Sequence, residues 1–370
     1  MKTTHKEELY IKQDILTDKL FDEHSIFFDI ETTGFSPVSS SIYLIGCARK
    51  RGRYICIDQF LAESPSEEKL VLIAFLEILK QYDTIISFNG VGFDIPFIKA
   101  KCNEYNLDEN LKNYEYLDIF KSISEIKPLL KLENYKQKTI EKFLDISRDD
   151  KYTGGDLINI YYDYVKNKDE ELLSLLLLHN YEDVLGMKEL IPVLSYVELM
   201  NGQYAITETA IRPYISIDKE EKLEFFITLK NDYNLPKRIS GRFDEYYISF
   251  NKDITTIRMP VYEGELKYFY SNYKDYYYLP DEDIAIHKSV AAYVDKDYKE
   301  KCRAYNCYNR KSGKFLIQYI SIMNPEFKND YKDKFSYFEL TDDFCESDIM
   351  LRRYVDHIFK RIRISKKTAH

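Results

Sequence analysis

Between Ser25 and Thr32 the chain reads SIFFDIET. Apart from Asp29 and Glu31 this run is apolar on both faces, the pattern of a strand at the centre of a sheet with cover above and below. On a strand, residues i and i+2 point the same way, roughly 6.5–7 Å apart. Two carboxylates side by side among Ile and Phe are costly unless something positive neutralises them. A hard divalent cation such as Mg²⁺ or Mn²⁺ does so, because it prefers carboxylate oxygens. A strand end reaching solvent would account for the same residues, and both explanations stand at this point.

The surrounding sequence supplies a sheet for that strand. Residues 41–49 and 54–62 read as two further strands joined at Arg51-Gly52. Ser64-Pro65-Ser66-Glu67 opens a helix to about Lys80, with a capping Ser, a first-turn Pro and a Glu three residues on. That helix is apolar nearly all round and is expected to be well buried. Residues 84–88 form the next strand, followed by the turn NGVGFD and a helix from about Pro96. Residues 116–119 read as a short strand running into a helix, and 131–202 as mostly helical. Strand meander, buried helix, strand, then helices predicts an α/β layer domain with a mixed sheet flanked by helices.

Two more acidic segments follow. Asn89-Gly90-Val91-Gly92-Phe93-Asp94 joins a buried strand to a helix. Asp94 there is either a ligand or an N-cap. In His179-Asn180-Tyr181-Glu182-Asp183, His179 and Asp183 are i and i+4 on a helix and share a face. That spacing suits a general base beside a metal carboxylate, and it suits a surface His–Asp pair.

Taken together, DIETTG (29–34), FNGVGFDIPF (88–97) and HNYEDV (179–184) resemble the three motifs of the DEDD exonucleases in the ribonuclease H-like superfamily. LDIF (117–120) and LKLENYKQKTIEKFL (130–144) resemble the YprB-type branch, which includes bacterial exonucleases associated with DNA repair. The resemblance covers about residues 20–195. It implies that Asp29, Glu31, Asp94 and Asp183 are metal ligands and that His179 is the general base. His-type members of the wider superfamily usually place the His five residues before the last Asp; here the gap is four, the spacing of the Tyr-type members. The implied activity is metal-dependent 3′–5′ exonucleolytic hydrolysis of phosphodiester bonds in nucleic acid, DNA before RNA. Two divalent ions, Mg²⁺ or Mn²⁺, roughly 3.5–4 Å apart would clamp the phosphodiester. Thr32, Thr33, Gly34, Asn89 and Phe93 are candidates to contact the terminal nucleotide. Asp118 is expected to cap a helix. A non-catalytic nucleic-acid-binding or scaffolding protein on the same fold, and a structure-specific endonuclease, are the competing expectations.

From about residue 204 the texture changes to short strands: 222–229, 245–251, 255–262 and 265–271, with a Glu263-Gly264 turn. A helix is expected over 281–299, a hairpin over 302–309 and 314–321 turning at Lys311-Ser312-Gly313, and a last helix over 347–363 ending in basic residues that include Lys366-Lys367. This predicts a second, Tyr-rich, β-rich α+β domain. The expected domains are 1–203 and 204–370, in line with about 150 residues per domain. Within the second, Arg303, Tyr305, Tyr308, Arg310 and Lys311 lie in the basic stretch KEKCRAYNCYNRKSGK. Interleaved Arg and Tyr suit a single strand through phosphate contacts and base stacking. An exposed hairpin whose Tyr residues pack on the sheet explains the same stretch.

The net charge of −9 argues against a protein that coats nucleic acid. Residues 201–370 carry 29 basic and 27 acidic side chains, so the acidity lies in residues 1–200, at 24 and 35 of the totals of 53 and 62. That predicts a transient grip on single strands or 3′ ends, and makes delivery by a helicase or repair partner part of the expectation. The six Cys have no CxxC pair and no metal spacing, so reduced thiols in a cytoplasmic protein are expected. No apolar run approaches the ~20 residues of a membrane span, and the N-terminus MKTTHKEELY has no apolar signal core.

Overall fold

The computed structural model describes residues 1–12, 14–147, 152–216 and 218–364. The chain divides into two units, residues 1–199 with 233–237 and residues 200–232 with the chain from 238 onward. Residues 148–151 of the expected helical stretch, and Lys366-Lys367, lie outside the described residues.

The first unit is an α/β domain with one mixed sheet flanked by helices. Its strands are β1 (Lys2–Leu9), β2 (Ser25–Thr32), β3 (Ile42–Arg51), β4 (Tyr54–Leu61), β5 (Thr84–Ser87) and β6 (Glu115–Asp118). They form one mixed sheet in the order β1-β4-β3-β2-β5-β6. The first three pairings are antiparallel and the last two parallel. As its apolar run predicts, β2 is interior to the sheet. Helices are α1 (Ile15–Leu20), α2 (Glu68–Leu79), α3 (Asp94–Glu104), α4 (Ile119–Ser124), α5 (Lys127–Leu130), α6 (Gln137–Phe143), α7 (Gly154–Asn167) and α8 (Glu170–Leu190).

Strand alternation sorts β2 between two layers. Ile26, Phe28 and Ile30 enter the core cluster with Val71, Leu72 and Phe75 of α2. Phe27, Asp29 and Glu31 face the other way, where Asp29 and Glu31 meet α8 and Phe27 packs on Phe21. The apolar α2, expected to be well buried, is so along one side, with Val71, Leu72, Phe75, Leu76 and Leu79, while Leu70 and Ile73 are exposed because only that side meets the sheet. Ser64 makes no capping bond; a 3-10 turn, Pro65–Glu67, precedes the helix instead. Glu67 holds the N-terminal amine of Met1 at 2.7 Å. That contact fastens β1, a polar strand that sequence alternation does not reveal.

The second unit is sheet-rich. β7 (Tyr204–Ile215), β8 (Glu221–Asn231), β9 (Ile239–Phe243), β10 (Tyr246–Asn251) and β11 (Ile254–Pro260) form an antiparallel sheet in the order β7-β8-β11-β10-β9. β12 (Tyr262–Phe269), β13 (Tyr276–Leu279), β14 (Ile284–His287), β15 (Glu300–Lys301), β16 (Tyr308–Gln318) and β17 (Ser336–Glu339) make two three-stranded sheets. The final helix spans Asp348–Ile364.

Three sequence expectations fail in this unit. Glu263-Gly264 is not a turn but part of β12, with Gly264 opposite Gly313. The hairpin at 311–313 is absent: β16 runs through Lys311, Ser312 and Gly313, because β12 pairs along it from Phe269 to Tyr262. The helix expected over 281–299 is a β13–β14 hairpin followed by short turns. Asp283 sits at φ +52°, a left-handed turn position. Its carboxylate collects the Tyr278 hydroxyl at 2.5 Å, the Tyr308 hydroxyl and Arg310, so the acidic run that looked like a helix start is a turn anchor. No helix of the described residues is long and apolar enough to cross a membrane.

Candidate active site

The fold brings the three acidic segments to one place. Asp29 and Glu31 project from β2 on the face that α8 crosses. His179 and Asp183 are one turn apart on α8, and His179 Nε2 lies 3.3 Å from Glu31 Oε1 and 3.1 Å from Asp183 Oδ2. Donor atoms of Glu31, His179 and Asp183 all fall within 4.8 Å of one another. Asp94 is the first residue of α3, after its N-cap Phe93. Its Oδ1 accepts the backbone N–H of Ile30 at 3.3 Å, which docks the carboxylate beside β2. The sheet register shifts between Glu31 and Thr32, a bulge of the kind that re-aims side chains beside functional sites.

These groups are poorly hydrated. Glu31 is 8% exposed, Asp94 6% and His179 5%. Burial first, then the charges of Asp183, Asp94 and Glu31, push the Asp29 carboxyl well above the usual carboxylate range. Burial also pushes Asp94 up to about 7, against the opposing Ile30 N–H, with Asp118 and Asp183 adding to the rise. Converging carboxylates that hold one another's protons are short of positive charge. A hard, oxygen-seeking divalent cation fits that donor set, and Asp29, Glu31, Asp94 and Asp183 are the residues that would hold it.

Several contributing residues escaped the sequence reading. Asn180, fully buried, donates from Nδ2 to the carbonyl and to Oδ2 of Asp29, both at 3.4 Å. Gln59 Nε2 in turn donates to Asn180 Oδ1 at 3.0 Å and to the Leu177 carbonyl at 2.8 Å. Gly46 lies opposite Asp29 on β3. A Cβ there would sit 2.0 Å from Asn180 Oδ1, so the strand needs glycine to let the amide in. An isolated glycine inside a strand is the sequence signal for such an approach. Tyr43, buried and stacked on Tyr161 at 4.2 Å, lies under the cluster. Burial and then Glu31 and Asp29 raise its pKa, so it stays a neutral phenol. Gln137 of α6 donates to the Asp183 carbonyl at 3.2 Å, bracing α8 where the last carboxylate leaves it.

Gly46→Ala therefore forces Asn180 out of its place. Overpacking of this kind costs about 1–3 kcal/mol, read as a lower denaturant midpoint at unchanged slope. Adding Asn180→Ala to Gly46→Ala should cost little more than the glycine change alone, since the clash and the amide are one interaction.

The candidate nucleotide contacts divide by location. Thr32 Oγ1 donates to the Gly34 carbonyl at 2.8 Å, and Thr33 Oγ1 accepts the Ser41 N–H at 2.9 Å, so both hydroxyls close the loop beyond Glu31. Asn89 is left-handed at φ +65°. Asp118 caps α4 through the Lys121 N–H, as expected, and also accepts the N–H groups of Asn89 at 3.0 Å and Val91 at 3.1 Å. Gly90 passes so close to Ser87 that a Cβ would meet its Oγ at 2.5 Å. Phe93 packs on Phe97 at 5.6 Å and edge-on to Phe35 at 6.3 Å. Phe35, 92% exposed, is a further aromatic that the sequence reading passed over.

Arg303, Tyr305, Tyr308, Arg310 and Lys311 belong to the second unit. Arg303 and Tyr305 are exposed or nearly so and bond to each other at 3.3 Å. Tyr308 is buried, Arg310 pairs with Glu265 and Asp283, and Lys311 pairs with Glu339 at 2.6 Å. Acidic neighbours thus answer the strand's two central cations.

A mixed sheet of this order, with carboxylates on its central strand and on the helix crossing it, defines a ribonuclease H-like fold. Residues 26–195 match the family model of the RNase_H superfamily. YprB, an uncharacterized protein of Bacillus subtilis (strain 168), is 27% identical over 176 residues, 46% of this chain and 42% of its own length. A DNA polymerase of Methanocaldococcus jannaschii is 41% identical over 58 residues, 15% of this chain and 4% of its own. The chain thus spans less than half the length of these curated relatives. Among solved structures, the family B DNA polymerase of Pyrobaculum calidifontis aligns at TM-score 0.39 and 13% identity, over 68% of this chain and 35% of that one. Exonuclease I of E. coli in complex with a dA16 oligonucleotide aligns at TM-score 0.28 and 11% identity, over 57% and 55%.

Proposed function

We propose that the acidic cluster is the catalytic centre of a metal-dependent 3′–5′ exonuclease that hydrolyses phosphodiester bonds, of DNA in preference to RNA. The observation that carries this is the convergence of the carboxylates of Asp29, Glu31, Asp94 and Asp183, with the His179 imidazole between Glu31 and Asp183 and with Asp29 and Asp94 raised by burial and by their acidic neighbours. The match of residues 26–195 to the RNase_H superfamily supports it. The four carboxylates would hold two divalent ions, Mg²⁺ or Mn²⁺. When bound, such ions supply Lewis-acid stabilisation of phosphate charge and a more acidic water. His179 is the group that would take the proton from the attacking water, a task suited to an imidazole side chain. Asn180, backed by Gln59, keeps Asp29 aimed at the site. The loop of Thr32, Thr33 and Gly34, the turn at Asn89, and the rings of Phe93 and Phe35 would hold the terminal nucleotide, the rings by stacking. Arg303 and Tyr305 of the second unit would contact nucleic acid, with Tyr308, Arg310 and Lys311 shaping their support. In this reading the enzyme works in the cytoplasm on strands exposed by a helicase or repair partner.

End-labelled single-stranded DNA, duplex DNA and RNA incubated with Mg²⁺ or Mn²⁺ test the proposal. A ladder of stepwise shortening from the 3′ end is expected, fastest on single-stranded DNA. A single internal cut would make the enzyme an endonuclease, and intact substrates with all three would leave no nuclease. His179→Ala should slow release by about 10²–10⁴-fold, the usual worth of a general base, while metal still raises the melting temperature. Loss of that metal response as well would make His179 a ligand.

A further inference from the structure

On the face of the sheet turned away from Asp29, β1 and β4 assemble a second group of metal-binding side chains. His5 lies opposite Asp58 and Glu7 opposite Cys56. Cys56 in turn lies opposite Arg49, which lies opposite Ile26, a core residue of the α2 face. Cross-strand partners share a face, so all of these point away from the acidic cluster. His5 Nε2 is 3.5 Å from Glu7 Oε1, and the Cys56 thiol donates to the same Oε1 at 3.7 Å. The imidazole, carboxylate and sulfur donors all lie within 4.8 Å of one another.

Zinc binds His nitrogen, carboxylate oxygen and Cys sulfur at about 2.0–2.3 Å in a tetrahedron, which places its donors roughly 3.3–3.6 Å apart. Two of the three separations already approach that spacing. The other imidazole nitrogen is in place as well. His5 Nδ1 is 2.7 Å from Asp58 Oδ1, and a carboxylate only accepts, so Nδ1 carries a proton. Asp58 and Glu7 both raise the imidazole pKa, so a cation would have to displace the second proton to reach the Nε2 lone pair. A carboxylate behind a histidine is the usual support for a zinc ligand. Arg49 bonds Asp58 Oδ2 and neutralises it. Glu7 and a Cys56 thiolate would then balance the two positive charges of the cation.

We infer that His5, Glu7 and Cys56 form a binding site for a zinc-like divalent cation, distinct in place and chemistry from the Mg²⁺/Mn²⁺ site proposed above. Sulfur with imidazole selects the softer metal, whereas the acidic cluster offers mostly oxygen. The His5 and Glu7 side chains are 48% and 56% exposed, so a fourth position opens to water. The site would clasp β1 to β4. β1 contributes no buried residue, and a cation bridging the two strands adds a tether to the ion pairs of Met1 and Lys2 at its start.

Cobalt(II) is the probe, titrated into the reduced, full-length wild-type chain. Ligation by Cys56 gives an intense near-ultraviolet thiolate-to-cobalt charge-transfer band that saturates at one equivalent and is displaced by Zn²⁺. The oxygen-rich acidic cluster has no sulfur and cannot produce it. Cys56→Ser should abolish the band. Glu7→Gln, an exposed change on an edge strand, should weaken binding at least tenfold with an unchanged circular dichroism spectrum. No band in the wild type, a band that survives Cys56→Ser, or unaltered affinity in Glu7→Gln overturns the site and leaves a thiol–carboxylate hydrogen bond.

Discussion

Asp183→Ala is expected to lower nuclease turnover by about 10³-fold or more, measured as mononucleotide release from end-labelled single-stranded DNA. Metal-bound charge stabilisation is worth several kcal/mol, and at 1.36 kcal/mol per factor of ten, about 4 kcal/mol corresponds to roughly 10³. The metal-free protein should not lose stability in step. Asp183 is one of the charges that raise Asp29 and Asp94, so its removal relieves repulsion while His179 keeps its contact with Glu31. Asp118→Ala is the informative contrast. Asp118 caps α4 and holds the N–H groups of Asn89 and Val91. Its loss removes a cap, worth about 0.5–2 kcal/mol, and loosens the turn that carries Asp94. Stability should fall markedly and activity only in part. If Asp183→Ala retained turnover, or lost it only through unfolding, the cluster would be structural.

The acidic residues were legible because their cost was. A strand of Phe and Ile interrupted by Asp29 and Glu31 breaks its own pattern, and such breaks concentrate at functional sites. The interior place of β2 followed from apolarity on both faces. What lay hidden depended on contacts far apart in sequence. Asn180 stands beside His179 in the motif, yet its role appears only with Asp29 across the layer and Gly46 opposite. Asp94 taken alone reads as a cap; the Ile30 N–H that ties its carboxylate to β2 comes from 64 residues away. β1 has no apolar alternation and is held from outside its own pattern, by Met1 on Glu63 and Glu67 and by Lys2 on Glu170. His5 and Cys56 are neighbours only because β1 pairs with β4, so the absence of a CxxC spacing said nothing of them. In the second unit, Ser312-Gly313 carried turn chemistry but lay in the middle of a continuous pairing. Asp281 to Asp283 carried helix-start chemistry but served a hairpin. Local propensity lost to tertiary pairing in both cases.

Divalent metal should stabilise the protein, and more so as pH rises. An unfolded Asp releases its proton near pH 3.9. In the folded, metal-free chain Asp94 holds its proton up to about 7 and Asp29 is also raised well above the ordinary value. Between those limits the native state binds more protons than the unfolded state, so stability of the metal-free protein falls as pH rises through the window. A cation displaces the same protons. Its apparent affinity is therefore weakest near pH 5, where it competes with them, and strongest near pH 8, where the carboxylates are already ionised. At a metal concentration 100 times the dissociation constant, stabilisation is about 2.7 kcal/mol. For a unit of this size that is roughly 5–10 °C in melting temperature. Calorimetric scans with EDTA, Mg²⁺ and Mn²⁺ at pH 5, 6.5 and 8 should give shifts that grow along the series. In Asp29→Asn combined with Asp94→Asn, both the apo pH dependence over this window and most of the metal shift should vanish together. A metal shift that is flat in pH, or that survives in the double variant, would place the bound cation elsewhere in the chain. Comparison with Cys56→Ser then decides whether the clasp between β1 and β4 holds it.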